Sequence, residues 1–578
     1  MSTLITSRAF RAVAEGRVSG FKIIAFALTV LLCLLIVYPV IGMIVRTVFF
    51  DGELDFSAFG RAFSNSGLPE ALRNTALIMA VSGTAAVIIA SLFAWLNERT
   101  DARLGWIAML LPIVPLMLPT IALSIGWVFL GNERAGFING FLRGVMGWFG
   151  VETDAGPLNL TSWGGMFFIY TLYLVPFVYL VVAAAFRNVD PALEEASRVA
   201  GASAWRTVWK ISLPSIRSAI AGAALLVVVM ALAVYSIGAT LGTQARIRVL
   251  SVHIVSLVQS WPSQLDQAVV IGLVVLVFVG TIWALQRRIA GRQQHATIGG
   301  RAMRGNEVKL GAFRGPARAL MLIYIAATSV LPVIALALVS LAPFWSPNVD
   351  PSKWSLDNYA RLFAPGSAAV KALTNSFSLG VVGATIAMSI AAILVVYSRY
   401  QGGAVSRFID GVTKAPGAIS HVVVGVAFIA AFAGQPFNLF GSYTILLLVY
   451  IVIYMPQASI SAGSAGDQLG RELFEASSVS GAGPWRTFRR VALPLMIPGL
   501  TAGWVFLFVA IAGELTASSM LAGVTNPVIG FVILNIWESG TFSQLAAMGT
   551  VVAVVSAVIV TTVLALSRRA SGAVSSGG

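Results

Sequence analysis

Two stretches of this chain carry polar chemistry in a repeated order. Glu195 to Pro214 reads EASRVAGASAWRTVWKISLP and Glu475 to Pro494 reads EASSVSGAGPWRTFRRVALP, with 11 of 20 positions identical and no gap. A Glu near the end of a short helical stretch, a Gly that permits a turn and a basic run carrying Trp suit a helix, a bend and a second helix lying across a membrane face. The plainest role for such a segment is anchoring, with Trp205, Trp209, Arg206 and Lys210 set among lipid headgroups. Anchoring needs only amphipathicity. It does not need Glu-Ala-Ser, then Gly-Ala, spelled alike in two places, so the expectation is docking to a cytoplasmic partner that presents two equivalent surfaces.

A second candidate is Glu514, the carboxylate placed well inside an apolar run. Burial of a charge in a bilayer costs at least about 2.5–3.5 kcal/mol, which makes such a residue a candidate for function. Tyr235, Ser518 and Ser519 are the oxygen donors that could join it along a path for a hard cation. The competing reading is a structural carboxylate at a helix break, bonded by Thr516 or Ser518; the register partner in the first half of the chain is Val234. His253, His295 and His421 are scattered and each reads as structural, so no metal centre is expected. Cys33 is the lone cysteine, and no intramolecular disulfide can form.

No Gly-x4-Gly-Lys-Ser/Thr pattern is present, so the chain is not expected to cradle ATP, and no cofactor is assigned to it. A membrane enzyme would cluster His, Asp or Cys within its helices. A secondary transporter, the rival class, would carry several intramembrane ionisable groups where this sequence places one.

The elements that must hold these residues are membrane spans. The 578 residues are 58% hydrophobic and 11% charged, against about 25% charged in soluble proteins. Apolar runs of the length needed to cross a bilayer lie near Ile23–Val45, Thr75–Leu96, Leu104–Leu130, Ser162–Phe186, Ser218–Gly242 and Gln267–Leu285. Six more follow near Ala319–Phe344, Ala372–Ser398, Ala415–Phe432, Gly441–Ala462, Leu495–Leu521 and Phe542–Ser567, making about twelve. The fold class expected is all-α integral membrane, with residues 1–285 and 319–578 as two six-helix halves joined by a basic cytoplasmic linker, 286–318. The repeated motifs fall in inner loops 187–217 and 463–494.

With both termini in the cytoplasm, inner segments hold 28 of the 38 Lys and Arg, as the positive-inside rule requires. The +15 net charge is therefore an orientation signal and not a nucleic-acid footprint. The first run exceeds the apolar core of a signal peptide and is read as a retained helix.

The duplication has two registers. The motifs, and Ser263-Gln264-Leu265 with Ser543-Gln544-Leu545, recur at an offset of 280. LPTIALSIGWVFL ending at Leu130 aligns with ISHVVVGVAFIAA ending at Ala431 at an offset of 301, so the first half carries about 21 extra residues on its outer side.

At the repeated motif the chain resembles the permeases of ATP-binding cassette (ABC) importers. Their EAA pattern appears as Glu195-Ala196-Ser197, Gly201 and Ile211-Ser212-Leu213-Pro214, then as Glu475-Ala476-Ser477, Gly481 and Val491-Ala492-Leu493-Pro494, with Ser as the third residue of both triplets and Val491 for Ile. The resemblance implies two type I permease halves in pseudo-twofold arrangement. It implies that Glu195, Ala196, Gly201 and Ala202, with Glu475, Ala476, Gly481 and Ala482, contact two copies of a separate cytoplasmic ATPase, which holds ATP and Mg. It also implies a substrate-binding protein outside a bacterial inner membrane. AWLNERTDARLG (Ala94–Gly105), LGTQARIRVLSVHI (Leu241–Ile254) and GELTASSML (Gly513–Leu521) resemble ferric-iron importer permeases. Permeases for 2-aminoethylphosphonate, thiamine and polyamines share much of this wording.

Overall fold

The computed structural model describes residues 20–50, 53–109, 111–112, 115, 118–291, 307–467 and 469–575. The linker segment 292–306, with His295, lies outside the described residues. Among the described residues the regular structure is helical apart from one small hairpin, which pairs Phe49 with Leu54 and Phe50 with Glu53, and two isolated bridges.

The helices of the first half are α1 (Gly20–Val48), α2 (Gly67–Arg99), α3 (Thr120–Gly131), α4 (Trp163–Arg187), α5 (Pro191–Val199), α6 (Arg217–Ala233) and α7 (Leu265–Gly291). Their counterparts are α8 (Gly311–Leu341), α9 (Ala368–Gln401), α10 (His421–Phe432), α11 (Tyr443–Asp467), α12 (Arg471–Val479), α13 (Leu493–Ala512) and α14 (Phe542–Ser575). Among the described residues nine helices are long and apolar enough to cross a membrane as single rods.

The other three expected spans are broken. Leu104–Leu130 is a short 3₁₀ turn, Gly105–Met109, followed by α3. Ala415–Phe432 folds at 100° between Gly403–Ala418 and α10. Ser218–Gly242 begins beyond a 68° bend and stops at Ala233, before a π turn at Gly238–Gly242. Proline stands at the first two breaks: Pro119 directly before α3, and Pro416 in the short turn before α10, each lacking the N–H that continues a helix. Leu495–Leu521 also ends early, at Ala512, so Glu514 sits in a non-helical break and not inside a continuous span.

The two short inner helices form the centre. Residues 121–131 of α3 and 422–432 of α10 are all buried. Neither has a polar face, and a helix apolar all round must be enclosed by other helices. Their bounds differ by 301 at both ends, the register seen in the sequence.

Each is covered by the first helix of the opposite half. Gly126 of α3 meets α8 so closely that a Cβ would stand 2.6 Å from Pro332 Cα, and Gly42 of α1 lies against Ala431 of α10. Trp127 Nε1 donates to Ala327 O at 2.8 Å. Phe21 of α1 stacks on Phe488 with centroids 5.4 Å apart. The repeats are thus laced together.

Polar pins repeat as well. Thr75 Oγ1 accepts from the Leu250 N–H at 2.8 Å and Ser376 Oγ accepts from the Ile529 N–H at 2.8 Å. Asn74 Nδ2 donates to Arg248 O, and Asn375 Nδ2 to Pro527 O, each at 2.9 Å. These bonds hold the short helices Leu250–Gln259 and Ile529–Ser539 against α2 and α9. Each satisfies a backbone group that lipid could not.

Candidate functional site

Two places collect the chemistry. The first is a pair of elbows formed by the repeated motifs. α5 and α12 each run nine residues and end two residues before a glycine with positive φ, Gly201 at 79° and Gly481 at 74°. The Ala202 N–H donates to Ser197 O at 3.0 Å and the Ala482 N–H to Ser477 O at 3.1 Å. This six-to-one bond across a left-handed Gly is a Schellman stop. A second helical turn follows, Ala204–Thr207 or Pro484–Thr487, running into π turns at Val208–Ser212 and Phe488–Ala492.

The serine that departs from Glu-Ala-Ala has a place in this geometry. Ser197 Oγ and Thr207 Oγ1 share a hydrogen bond at 2.9 Å, and Ser477 Oγ and Thr487 Oγ1 share one at 2.7 Å. Each bond joins the two arms of its elbow. An alanine could not do so, which ties the Ser to the Thr of Trp-Arg-Thr.

Glu195, Ala196, Gly201, Glu475, Ala476 and Gly481 are exposed, with Ala202 and Ala482 half-buried in the bend. Sequence reasoning missed the apolar residues beside them. Leu193 and Leu473 are 51% and 41% exposed, and Val199 and Val479 are 90% and 89% exposed. Matched exposed apolar side chains on a polar loop mark a contact surface, and the signal was their recurrence at the same offset of 280.

The second place is a cavity of about 150 Å³ where the halves meet. The N-terminal ends of α3 and α10, at Pro119, Thr120 and His421, open onto it. Tyr173, Pro176 and Phe177 of α4 face Tyr454 and Gln457 of α11 across it, and Val234, Ser236, Glu514 and Thr516 complete the wall beyond α6 and α13. The polar groups come mostly from the second half. Gln457 Oε1 is buried and has no hydrogen-bond partner among the described residues, whereas its register partner is Phe177. His421 meets Tyr454 edge-on at 5.7 Å, and the Tyr454 hydroxyl donates to Ala510 O at 2.9 Å. A polar residue matched to an apolar one inside a span was the available sequence signal for Gln457.

Glu514 lines this cavity, yet its carboxylate is already engaged. Oε1 accepts from the Ala517 N–H at 2.8 Å and Oε2 accepts from the Ser518 N–H at 3.0 Å. Ser518 Oγ donates back to Glu514 O at 2.8 Å. Of the other expected path residues, Ser518 meets Glu514 through these bonds, and Tyr235 and Ser519 stand apart from its carboxylate. Tyr235, Ser518 and Ser519 are buried outside the cavity wall, and Ser519 Oγ donates to Thr516 O at 2.9 Å. Among the described residues no three His, Cys, Asp or Glu side chains come together.

Comparison with known proteins gives this architecture its family. The chain is 25% identical to the ferric transport system permease protein FbpB of Actinobacillus pleuropneumoniae over 97% of its own length and 80% of that protein's. It is 24% identical to the Fe(3+)-transport system permease protein FbpB 2 of Haemophilus influenzae, covering 83% of this chain and 86% of that one. The model of the binding-protein-dependent transport system inner membrane component matches twice, at residues 84–292 and 383–572, each match enclosing one elbow. With more than half its length matched, the chain belongs to this family of ABC transporter permeases and carries two copies of the permease unit.

Proposed function

We propose that this chain is the transmembrane permease subunit of an ATP-driven importer that receives ferric iron from a binding protein outside the bacterial inner membrane and releases it into the cytoplasm. The observation that carries the reading is the pair of geometrically matched elbows. A partner with two equivalent surfaces fits them, and two copies of an ATPase subunit, holding ATP and Mg, are such a partner. Glu195, Ala196, Gly201 and Ala202, with Glu475, Ala476, Gly481 and Ala482, would form the contact, joined by Val199 and Val479. Both termini and residues 286–318 would face the cytoplasm. Ferric iron as cargo is supported by the names of the FbpB relatives.

The cavity between α4 and α11 is the passage in this reading. Its wall offers scattered hydrogen-bonding groups and one carboxylate that already accepts two N–H bonds, an arrangement for transit and not for tight capture. Co-purification tests the core of the reading: the tagged permease should retain an ATPase chain in two copies, and charge reversal at Glu195 together with Glu475 should release it. Retention of the ATPase by that double variant would refute the contact.

A further inference from the structure

The two elbows share a shape and differ in how they are seated. Glu194, one residue before the repeated triplet, is buried in α5. Its Oε1 accepts from Ser212 Oγ at 2.7 Å, and its Oε2 lies 3.8 Å from Arg99 Nη1. Arg99 closes α2 and donates through Nη2 to Val189 O at 2.8 Å and to Phe186 O. One buried guanidinium therefore gathers the end of α2, the end of α4 and the elbow helix α5, while Ser212 adds the π turn that leads toward α6. Arg99 Nε has no hydrogen-bond partner among the described residues, so the counter-charge of Glu194 joins the Val189 and Phe186 carbonyls in offsetting the burial of the cation.

The second half reaches the same shape by other means. The register partners of Glu194 and Ser212 are Phe474 and Ala492. Phe474 packs edge-on against Tyr400 with centroids 5.2 Å apart. Arg399, at the end of α9, donates to Gly463 O at 3.1 Å, to Gly466 O and to Asp467, and so holds the end of α11. The elbow helix α12 is thus seated by an aromatic contact. Such a contact is weakly directional and tolerates displacement, whereas a buried charge separated from its partner is penalised steeply.

We propose that Glu194 is a positioning residue for energy coupling, fixing the first elbow to α2, α4 and α6, so that the two elbows transmit the ATPase stroke unequally: the first through a buried ionic junction, the second through an aromatic bearing. This rests on the permease reading above. A rigid junction passes displacement of α5 directly to three spanning helices. A sliding contact passes less of it.

The test uses the whole complex in lipid nanodiscs, with the binding protein as purified carrying its native ligand, and reads ATP hydrolysis with and without that protein. Glu194→Gln keeps a hydrogen-bond acceptor for Ser212 and removes the charge; Ser212→Ala removes one hydroxyl and leaves the charge. Both should reduce binding-protein stimulation of hydrolysis, Glu194→Gln by about tenfold, with ATPase retention at the wild-type level. The double variant should be no worse than Glu194→Gln alone, because the two act as one unit. Phe474→Leu should reduce stimulation by less than about threefold. If Glu194→Gln fails to insert, Ser212→Ala decides alone. Wild-type stimulation in the variants overturns the proposal, and so does parallel loss of stimulation and ATPase retention, which would make Glu194 part of the docking surface. A wild-type chain that retains no ATPase would instead overturn the permease reading.

Discussion

Glu98 and Arg187 form a salt bridge at 2.8 Å between the ends of α2 and α4, and the second half repeats the bridge with the charges exchanged, Arg399 donating to Asp467. The positions correspond by the two registers, 301 for the α2 partner and 280 for the α4 partner. A duplicated chain could pair α2 with α11 or α9 with α4. Those pairings would set Glu98 against Asp467 and Arg399 against Arg187, and both repel. The swap rewards pairing within a half and penalises pairing across halves.

Its energetic weight is small, because the Arg187 side chain is 64% exposed and exposed pairs contribute about 0.2–1 kcal/mol. Glu98→Arg should therefore lower the midpoint of thermal unfolding of the detergent-solubilised protein by a few degrees. Glu98→Arg with Arg187→Asp, which adopts the polarity of the second half, should recover most of the loss. A double variant as unstable as the single one would show that the ion pair is incidental.

The elbow glycines are a sharper case. Nothing lies within 4 Å of a Cβ built on Gly201 or Gly481, so the cost of a side chain there comes from positive φ alone. Left-handed backbone costs an ordinary residue roughly 1–2 kcal/mol and Asn less. Gly201→Val with Gly481→Val should abolish binding-protein-stimulated hydrolysis while the permease still inserts, and the paired Asn variant should keep most of it. Normal uptake in the paired Val variant would refute the coupling role.

Both elbows were readable in the sequence because their residues repeat at one offset and several repeated positions have a local geometric reason: Gly for positive φ, Ser and Thr for the bridge between arms. The buried pair α3 and α10 was readable only as apolar length. Apolar composition fixes burial but not continuity, so the breaks at Pro119 and Pro416 merged with neighbouring runs into single expected spans. Gln457 escaped notice, and His421 reads as structural in the sequence, because a cavity is made by helices distant in sequence and no local pattern marks where they converge. Glu514 was legible as a carboxylate set in an apolar run, while its engagement by the Ala517 and Ser518 N–H groups depends on a break that hydropathy does not reveal.

That engagement leads to a definite expectation for Glu514→Gln. A carboxylate offers an oxygen to each N–H, whereas an amide has a single acceptor oxygen, so one of the Ala517 and Ser518 donors loses its partner at a cost of about 1–3 kcal/mol. Thermal stability should fall whatever the cargo, and uptake should fall with it. Unchanged stability with a selective loss of transport would instead assign Glu514 to direct cargo contact.

Orientation can be checked at two exposed positions. Lys309, at the end of the linker, and Glu152, in the extra segment of the first half, are both exposed. With Cys33 replaced by Ser, a cysteine at Lys309 should react with a membrane-impermeant maleimide only after the cytoplasmic face is opened. A cysteine at Glu152 should react in intact spheroplasts. Labelling of the Lys309 position from outside would invert the topology.

The cavity wall bears directly on the proposed cargo. A ferric ion prefers several hard oxygen ligands at once, but the acidic side chain on this wall is Glu514, and both of its oxygens already accept N–H bonds. On the proposed reading selection falls to the binding protein, before the cavity, and Tyr173, His421, Gln457 and Thr516 would serve a cargo that passes without being held. Screening the purified binding protein against ferric iron, 2-aminoethylphosphonate, thiamine and spermidine should accordingly show tight binding of ferric iron. Gln457→Leu should alter the rate of uptake without altering that preference, because it acts after selection. Binding of a phosphonate with no affinity for iron would sink the ferric assignment and leave the permease intact. A change of cargo preference in Gln457→Leu would show instead that the cavity itself selects.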